Sequence, residues 1–277
     1  MSAHRSRRSG WSRHLILVPG VVVLLYPLGW LINASFMPES AIFSGDAANY
    51  TLENYMSGWV GTGQPFWHYI VNSLTVASVA AFGTVMASAF AGYAFARLHF
   101  PFKRTAFVLM LVTIMLPHQV TLIPQYTIFR DMGWIDTFLP LIVPKFLAID
   151  GFFVFLFIQF IRGLPIELDE AARLDGCGPI RTFFQVTLPL LTPAIVTAAV
   201  FSFIWTFDDF LSQIVYLSSA GKYTVPIALR LFIDTTGTSS YGGMLAMSVV
   251  ALIPVTVVFL VLQRRLTEGI ASTGVKG

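Results

Sequence analysis

"FVFLFIQFIRGLPIELDEAARLDG", Phe153 to Gly176, carries an apolar run up to an arginine and then turns at once into a short acidic segment. Pro165 suits a first helical position, where its missing N–H would be unpaired in any case. Glu167, Asp169 and Glu170 then fall in the first turns, where the positive end of the helix dipole favours carboxylates. Gly176 and Gly178 are stop signals, and Pro179 can start a second short helix running toward Leu188 and Pro189. The segment from Arg162 to about Thr192 is therefore expected to be a helix-turn-helix between two apolar blocks. Leu168, Ala171, Ala172 and Asp175 share one face by their spacing. Two alanines make that face flat, which permits close docking without a large exposed apolar patch. These residues suit either a helix pressed against a partner or a capped helix covering the membrane interface.

Outward from this segment, 56% of the 277 residues are hydrophobic and 11% are charged, against roughly 25% charged in a soluble domain. The hydrophobicity falls in blocks of about 20 residues, enough for a helix rising about 1.5 Å per residue to cross a hydrocarbon core of about 30 Å. Continuous blocks, rather than alternating ten-residue strands, exclude an outer-membrane barrel. They run from Leu15 to about Ser35, Ile70 to Ala96, Thr105 to about Leu122, Pro140 to Ile161, Ala194 to Tyr216, and Tyr241 to Leu262. The chain reads as an all-α membrane protein with about six transmembrane helices. The first block follows a basic tail, as a cleaved signal peptide would. Its apolar core of about 18 residues, interrupted by Pro19, Gly20 and Pro27, exceeds the roughly 7 to 15 of such a peptide, so an uncleaved span is expected.

With the N-terminus inside, every Lys and Arg except Arg130, Lys145, Lys222 and Arg230 falls on the inner side, from Arg5, Arg7, Arg8 and Arg13 to Arg264, Arg265 and Lys276. The opposite orientation inverts this positive-inside bias, so both termini are expected in the cytoplasm. The organisation follows: a cytoplasmic basic tail over residues 1–14, a transmembrane domain over 15–262, and a cytoplasmic C-terminal tail over 263–277. The external loop, 36–69, has no Lys or Arg and carries Glu39, Asp46 and Glu53 with Trp59, Phe66 and Trp67. It reads as an ordered cap, and its aromatics equally suit an interfacial belt. In the second span, Gly83, Ala87, Ala91 and Ala80, Thr84, Ser88, Gly92 form two small-residue rows that let helix backbones approach closely. Pro117 and Pro124 interrupt the outer end of the third span and free backbone groups that protein or cavity water must satisfy.

No catalytic residue and no metal-binding set is read from the chain. The single cysteine, Cys177, cannot form an intramolecular disulfide, and His4, His14, His68, His99 and His118 show no zinc spacing. His118 follows a proline near an interface, where a satisfied histidine and a proton relay are the two readings. "AGKYT" lacks the earlier glycine and following Ser/Thr of a phosphate-binding loop, so ATP phosphates are not cradled by that device here. A net charge of +3 without a basic patch excludes nucleic acid as a partner. Acids inside spans are the remaining candidates, because intramembrane carboxylates are costly and usually face a polar interior. Asp208, about 21 Å along its helix, and Asp209 sit in "WTFDDF" beside Trp205. Carboxylates accept hydrogen bonds from sugar hydroxyls, and aromatic faces cover the apolar faces of a pyranose. Asp150 is a weaker candidate, since Lys145 five residues earlier could neutralise it.

"EAARLDG" followed by "VTLP" resembles the EAA motif of permease subunits of ATP-binding cassette (ABC) importers, with Glu170, Ala171, Ala172 and Gly176 in place and Val186 where isoleucine is usual. "NSLTVASVAAFGTVMASAFAGYAFARLHFPFKR", "LPHQVTLIPQYTIFRDMGWIDT" and "QRRLTEGIASTGVKG" narrow the resemblance to the carbohydrate-uptake group, on the side of the maltose system's second permease subunit. It covers about Leu15 to Gly277. The resemblance implies a type I ABC importer-like fold in which the 162–192 loop forms coupling helices seated in a cleft of the nucleotide-binding subunit. Glu170 would be the charged contact, Ala171 and Ala172 the close-packed face, Gly176 the turn, and Asp175, Leu188 and Pro189 part of the same motif. Arg264 and Arg265 would anchor a tail whose tip is Gly274 to Gly277. It further implies a homologous sister permease, a dimeric ATPase carrying ATP and Mg, an extracytoplasmic sugar-binding protein, and the bacterial cytoplasmic membrane as location, with no cofactor in this chain. Sugar would cross by alternating access; by their own chemistry Trp205, Asp208, Asp209 and Asp150 are the candidates to line its path, the family's alternative being a segment that only braces the helix while the sister permease binds substrate. The rival is an ion-coupled secondary carrier in which Asp150, Asp208 and Asp209 take protons or sodium; the inverted repeats and broken midplane helices common in such carriers are not obvious in the sequence. An intramembrane enzyme lacks a nucleophile and base pair.

Overall fold

The computed structural model describes residues 8–44, 49–233 and 239–273, the side chains of 8–13, 16 and 264–273 excepted. Arg5, Arg7, Asp46, Lys276 and the tip Gly274 to Gly277 lie outside the described residues, as do the side chains of Arg8, Arg13, Arg264 and Arg265. The described regular structure is entirely helical. Among the described residues, four helices are long and apolar enough to cross a membrane, and two sharply bent pairs raise the number to as many as six.

The chain divides into two compact units, residues 1–66 with 229–252, and 67–228 with 253–277. The first contains α1 (Arg8–Ser35) and α2 (Glu53–Val60). Pro19 and Pro27 lie within α1 without ending it, and Leu17 to Leu25 are largely exposed, as suits a helix whose solvent is lipid. The segment after α1 is ordered: buried Asn54 donates through Nδ2 to the carbonyls of Ser35 (2.9 Å) and Met37 (2.7 Å). Ala34, Met37, Ala41, Ile42 and Leu245 form its core. Trp59 remains exposed and Phe66 is fully buried, so the loop's aromatics divide between an outward ring and a packing anchor.

The second unit begins along α3 (Phe66–Arg97), followed by α4 (Lys103–Met115) and α5 (His118–Asp131). Between α4 and α5 the chain bends by 105°. Leu116 is extended there (ψ 126°), the conformation that the ring of Pro117 imposes on the residue before it. Pro124, by contrast, is accommodated inside α5. The fourth span is also not one helix. After α6 (Leu139–Ile142) comes a 3₁₀ turn over Val143–Leu147, Ala148 takes a left-handed φ of 53°, and α7 (Gly151–Arg162) starts anew behind Asp150. Then follow α8 (Glu167–Leu174), α9 (Pro179–Thr182), a π turn over Phe183–Thr187, α10 (Leu188–Leu190), α11 (Thr192–Asp208) and α12 (Phe210–Tyr216). The fifth span, expected to run unbroken to Tyr216, is interrupted at Asp209. A short α13 (Val225–Leu231) and the long α14 (Tyr241–Thr273) complete the fold.

Small residues set the packing of α3. A Cβ at Gly92 would lie 2.6 Å from the Cβ of Phe157 on α7, and one at Gly83 would lie 2.5 Å from the Phe146 ring. Each of the two small-residue rows thus contributes a close approach, as the absence of a hydrophobic drive between helices in lipid requires. One core joins Val85, Ala89 and Tyr93 to Phe153, Phe157, Phe183 and Ala194. A second joins Val76 to Leu122, Phe129, Leu141 and Tyr216.

Candidate functional site

Two places in the second unit carry polar chemistry. The first is a cavity of about 730 Å³ built where the helices break. Starting α7 at Gly151 gives the cavity Asp150, the residue before the first turn; a Cβ on Gly151 would sit 2.9 Å from Ile114 Cγ1 and 3.0 Å from the Met110 carbonyl oxygen, so α7 approaches α4 this closely only with glycine there. Asp150 binds the Lys145 ammonium at 2.9 Å, both half-buried. This is the local neutralisation that their spacing suggested.

The break between α11 and α12 gives two adjacent carboxylates different jobs. Asp209 caps α12, its Oδ1 accepting from the Ser212 amide at 3.0 Å, the usual service of an N-cap aspartate. Asp208 is the last residue of α11, at the end where the helix dipole disfavours a negative charge, and it has no ion pair among the described residues. The sequence placed Asp208 in mid-helix; instead it sits at a helix end, which opens it to the cavity. Gln213 closes the gap, its Nε2 donating 2.8 Å to the Thr206 carbonyl and its Oε1 accepting from Thr224. His118 Nε2 lies 2.9 Å from the Ser212 hydroxyl.

Trp205 is half-exposed, with ring centroids of Phe152 and Phe153 at 5.2 and 5.3 Å. Trp205, Asp208, Asp209 and Asp150 all line this one cavity. Sequence reading did not pick out Gln125, Ser212, Gln213 or Tyr216, which also line it. Ser212, Gln213 and Tyr216 belong to α12, set off from α11 by a break at Asp209 that the continuous apolarity of the sequence conceals.

The second place is the α8–α10 loop. Helix α8 starts at Glu167, so Pro165 stands two residues before it rather than at its first position. Glu167, Asp169 and Glu170 occupy the first turn. The stop is a Schellman motif: the Cys177 amide donates to Ala172 O (2.9 Å) and the Gly176 amide to Arg173 O (3.0 Å), with Gly176 at φ +78°. Pro179 opens α9 as expected.

The expected flat face needs correcting. Ala172 is turned inward at 6% exposure beside Asp169 at 4%, whereas Leu168, Glu170, Ala171 and Asp175 stay exposed. The outer surface is not flat either, since Leu174 is 90% and Ile180 72% exposed. Leu188 is partly buried, and Gly176 and Pro189 are exposed. What turns Ala172 inward is an ion pair that the sequence did not reveal: Arg97 Nε at the end of α3 meets Asp169 Oδ2 at 2.9 Å, with both side chains almost fully buried. The partners are 72 positions apart and carry no shared motif.

Residues 83–272 match the family described as the inner membrane component of binding-protein-dependent transport systems. The chain is 31% identical to the trehalose transport system permease SugB of Mycobacterium tuberculosis over 98% of both chains. It is 32% identical to the sn-glycerol-3-phosphate transport system permease UgpE of Agrobacterium fabrum, covering 94% of this chain and 95% of that one. A solved bacterial ABC transporter that imports the acidic polysaccharide alginate has a chain of the same fold, with TM-score 0.76, 20% identity, and coverage of 95% of this chain and 98% of that one.

Proposed function

Because the chain belongs to the family of inner membrane components of binding-protein-dependent transport systems, and is thus a multi-pass ABC importer permease subunit rather than an enzyme, we propose that it carries an uncharged sugar or sugar-like polyol through the cavity of its second unit. The observation that supports this path is the convergence of Trp205, Asp208, Asp209 and Asp150 on one cavity of about 730 Å³, a size suited to a small-molecule site. Carboxylates there accept hydroxyl hydrogen bonds and the Trp205 face covers apolar ring surface. With Asp150 matched by Lys145, Asp208 and Asp209 leave an excess of negative charge, which favours a neutral cargo over an anion. Of the cargoes for which relatives are named, neutral trehalose fits this lining better than anionic glycerol 3-phosphate.

Energy comes from ATP and Mg on a separate dimeric ATPase. The exposed Leu168, Glu170, Ala171, Leu174 and Asp175 form the surface that meets it, with Leu174 and Ile180 as apolar knobs and Glu170 as the charged contact. A homologous sister permease completes the pathway and an extracytoplasmic binding protein delivers the sugar. Both termini and the α8–α10 loop face the cytoplasm, and ATPase closure opens the path outward by alternating access.

Co-expression with the neighbouring subunits tests this. The chain should retain an ATPase on purification, and Glu170→Lys should weaken that association or separate hydrolysis from uptake. Ion-driven, ATP-independent uptake by this protein alone would establish the secondary-carrier alternative instead.

A further inference from the structure

Helix α3 is not adjacent in sequence to the α8–α10 loop, yet it holds both of its arms. Phe90, Tyr93 and Arg97 recur at intervals of three and four and so lie on one stripe of α3. Arg97 grips the first arm twice: Nε to the Asp169 carboxylate at 2.9 Å, and Nη2 donating 2.7 Å to the Leu164 carbonyl. Phe183, 1% exposed in the π turn, holds the second arm, with ring centroids 4.5 Å from Phe90 and 5.2 Å from Tyr93. The guanidinium serves the two contacts differently: it meets the Asp169 carboxylate as an ion pair, its Nε not aligned for a hydrogen bond, and it donates a hydrogen bond to the Leu164 carbonyl.

At its other end, α3 is tied to the 217–225 segment. Asn72 Nδ2 donates to the carbonyls of Gly221 (3.2 Å) and Tyr223 (2.9 Å), and the Val225 amide donates 2.8 Å to the Ser73 hydroxyl. From Asn72 to Arg97 the helix spans about 38 Å at its ordinary rise. Between these ends it is held by two close glycine contacts, Gly83 against Phe146 of the 3₁₀ turn and Gly92 against Phe157 of α7.

We infer that α3 is the rod that carries displacement of the α8–α10 loop to the 217–225 segment on the far side of the membrane, with Arg97 and Asp169 as the positioning residues that engage it. The inference rests on the reading of that loop as the ATPase-facing element. The buried ion pair is the weak link, because removing one partner strands the other charge away from water. Asp169 lies on the inner side of α8, and the Arg97–Leu164 hydrogen bond and the Phe183 ring contacts hold the loop without it, so its loss breaks the grip of α3 on α8 while the outer surface stays in place.

The test uses the assembled importer in proteoliposomes, with Ala220→Cys as a reporter in a Cys177→Ser background and an impermeant maleimide as the probe. ATP with vanadate should change the labelling rate of the reporter by about fivefold or more, the low end of ordinary inter-site coupling. Asp169→Asn should keep the ATPase bound and hydrolysing while bringing that ratio to within about twofold of unity. The exchanged pair, Arg97→Asp with Asp169→Arg, should recover part of the change. Persistence of the full change in Asp169→Asn, or loss of ATPase binding in it, overturns the inference. An exchanged pair that behaves no better than the single variant overturns it too. A parent importer that retains no ATPase would instead overturn the reading on which it rests.

Discussion

Replacing Gly92 by alanine tests the packing that makes α3 rigid. The new Cβ would lie 2.6 Å from the Phe157 Cβ and 3.3 Å from the Ile158 amide nitrogen. Ordinary contact begins at 3.4 Å, so a shift of about 0.8 Å is needed, against a backbone-proximal atom that cannot rotate away. Phe157 is fully buried, so the adjustment falls on the helices themselves, at a cost of about 1–3 kcal/mol. The same change also gains about 1 kcal/mol of helix propensity, which obscures the result unless it is subtracted. Gly29→Ala in α1 supplies the subtraction, because a Cβ there meets nothing within 4 Å. The two variants of the purified chain should therefore differ in thermal midpoint in detergent by roughly 2–12 °C, at about 2–4 °C per kcal/mol, with Gly92→Ala the lower. Equal midpoints would show that α3 and α7 do not approach as described.

Asp208→Asn and Asp209→Asn should each reduce sugar-dependent uptake with assembly intact, since asparagine still caps α12; unchanged uptake in both rejects the pathway. Gly176→Ala forces a β-carbon into a left-handed position at about 1–2 kcal/mol and should hasten trypsin cleavage at Arg173 or Arg181. An impermeant thiol reagent should label Cys177 only after permeabilisation; labelling in intact cells would invert the topology. The Asp136 carboxylate accepts from the Ser219 hydroxyl and from the Ser218 and Ser219 amides, and it pairs with Lys222; these hydrogen bonds, the Ser219 hydroxyl first, hold its pKa well below the usual range. A pKa depressed in the folded state gives stabilisation that is complete above the unfolded value of about 3.9 and is lost only as pH falls through the lower folded value. Protection of Lys222 from lysine-specific cleavage should thus persist from neutral pH to about 4, whereas Asp136→Asn should already be cut faster at neutral pH.

The spans were legible because lipid imposes one rule, continuous apolarity, that survives in any single window of sequence. The α8 stop was legible for a similar reason: Gly176 and Pro179 act on their own neighbours. Breaks at Asp150 and Asp209 were harder, since apolarity runs through both and only the tertiary role of a cap distinguishes a carboxylate that starts a helix from one that interrupts it. The inner face of α8 was misread because Leu168, Ala171, Ala172 and Asp175 form a plausible stripe, whereas the side that is buried is chosen by Arg97, far away in the chain. A charge pair between distant elements leaves no periodic trace, so only coordinates disclose it.

The match between Lys145 and Asp150 leaves the sign of the cavity resting on very few atoms. Asp208 belongs to no cap and no ion pair among the described residues, so its exchange for a neutral residue would halve the excess negative charge of the lining, and exchange for a basic one would cancel it, with the scaffold left standing. One substitution at this position would thus remove the lining's bias against acidic cargo without rebuilding any helix.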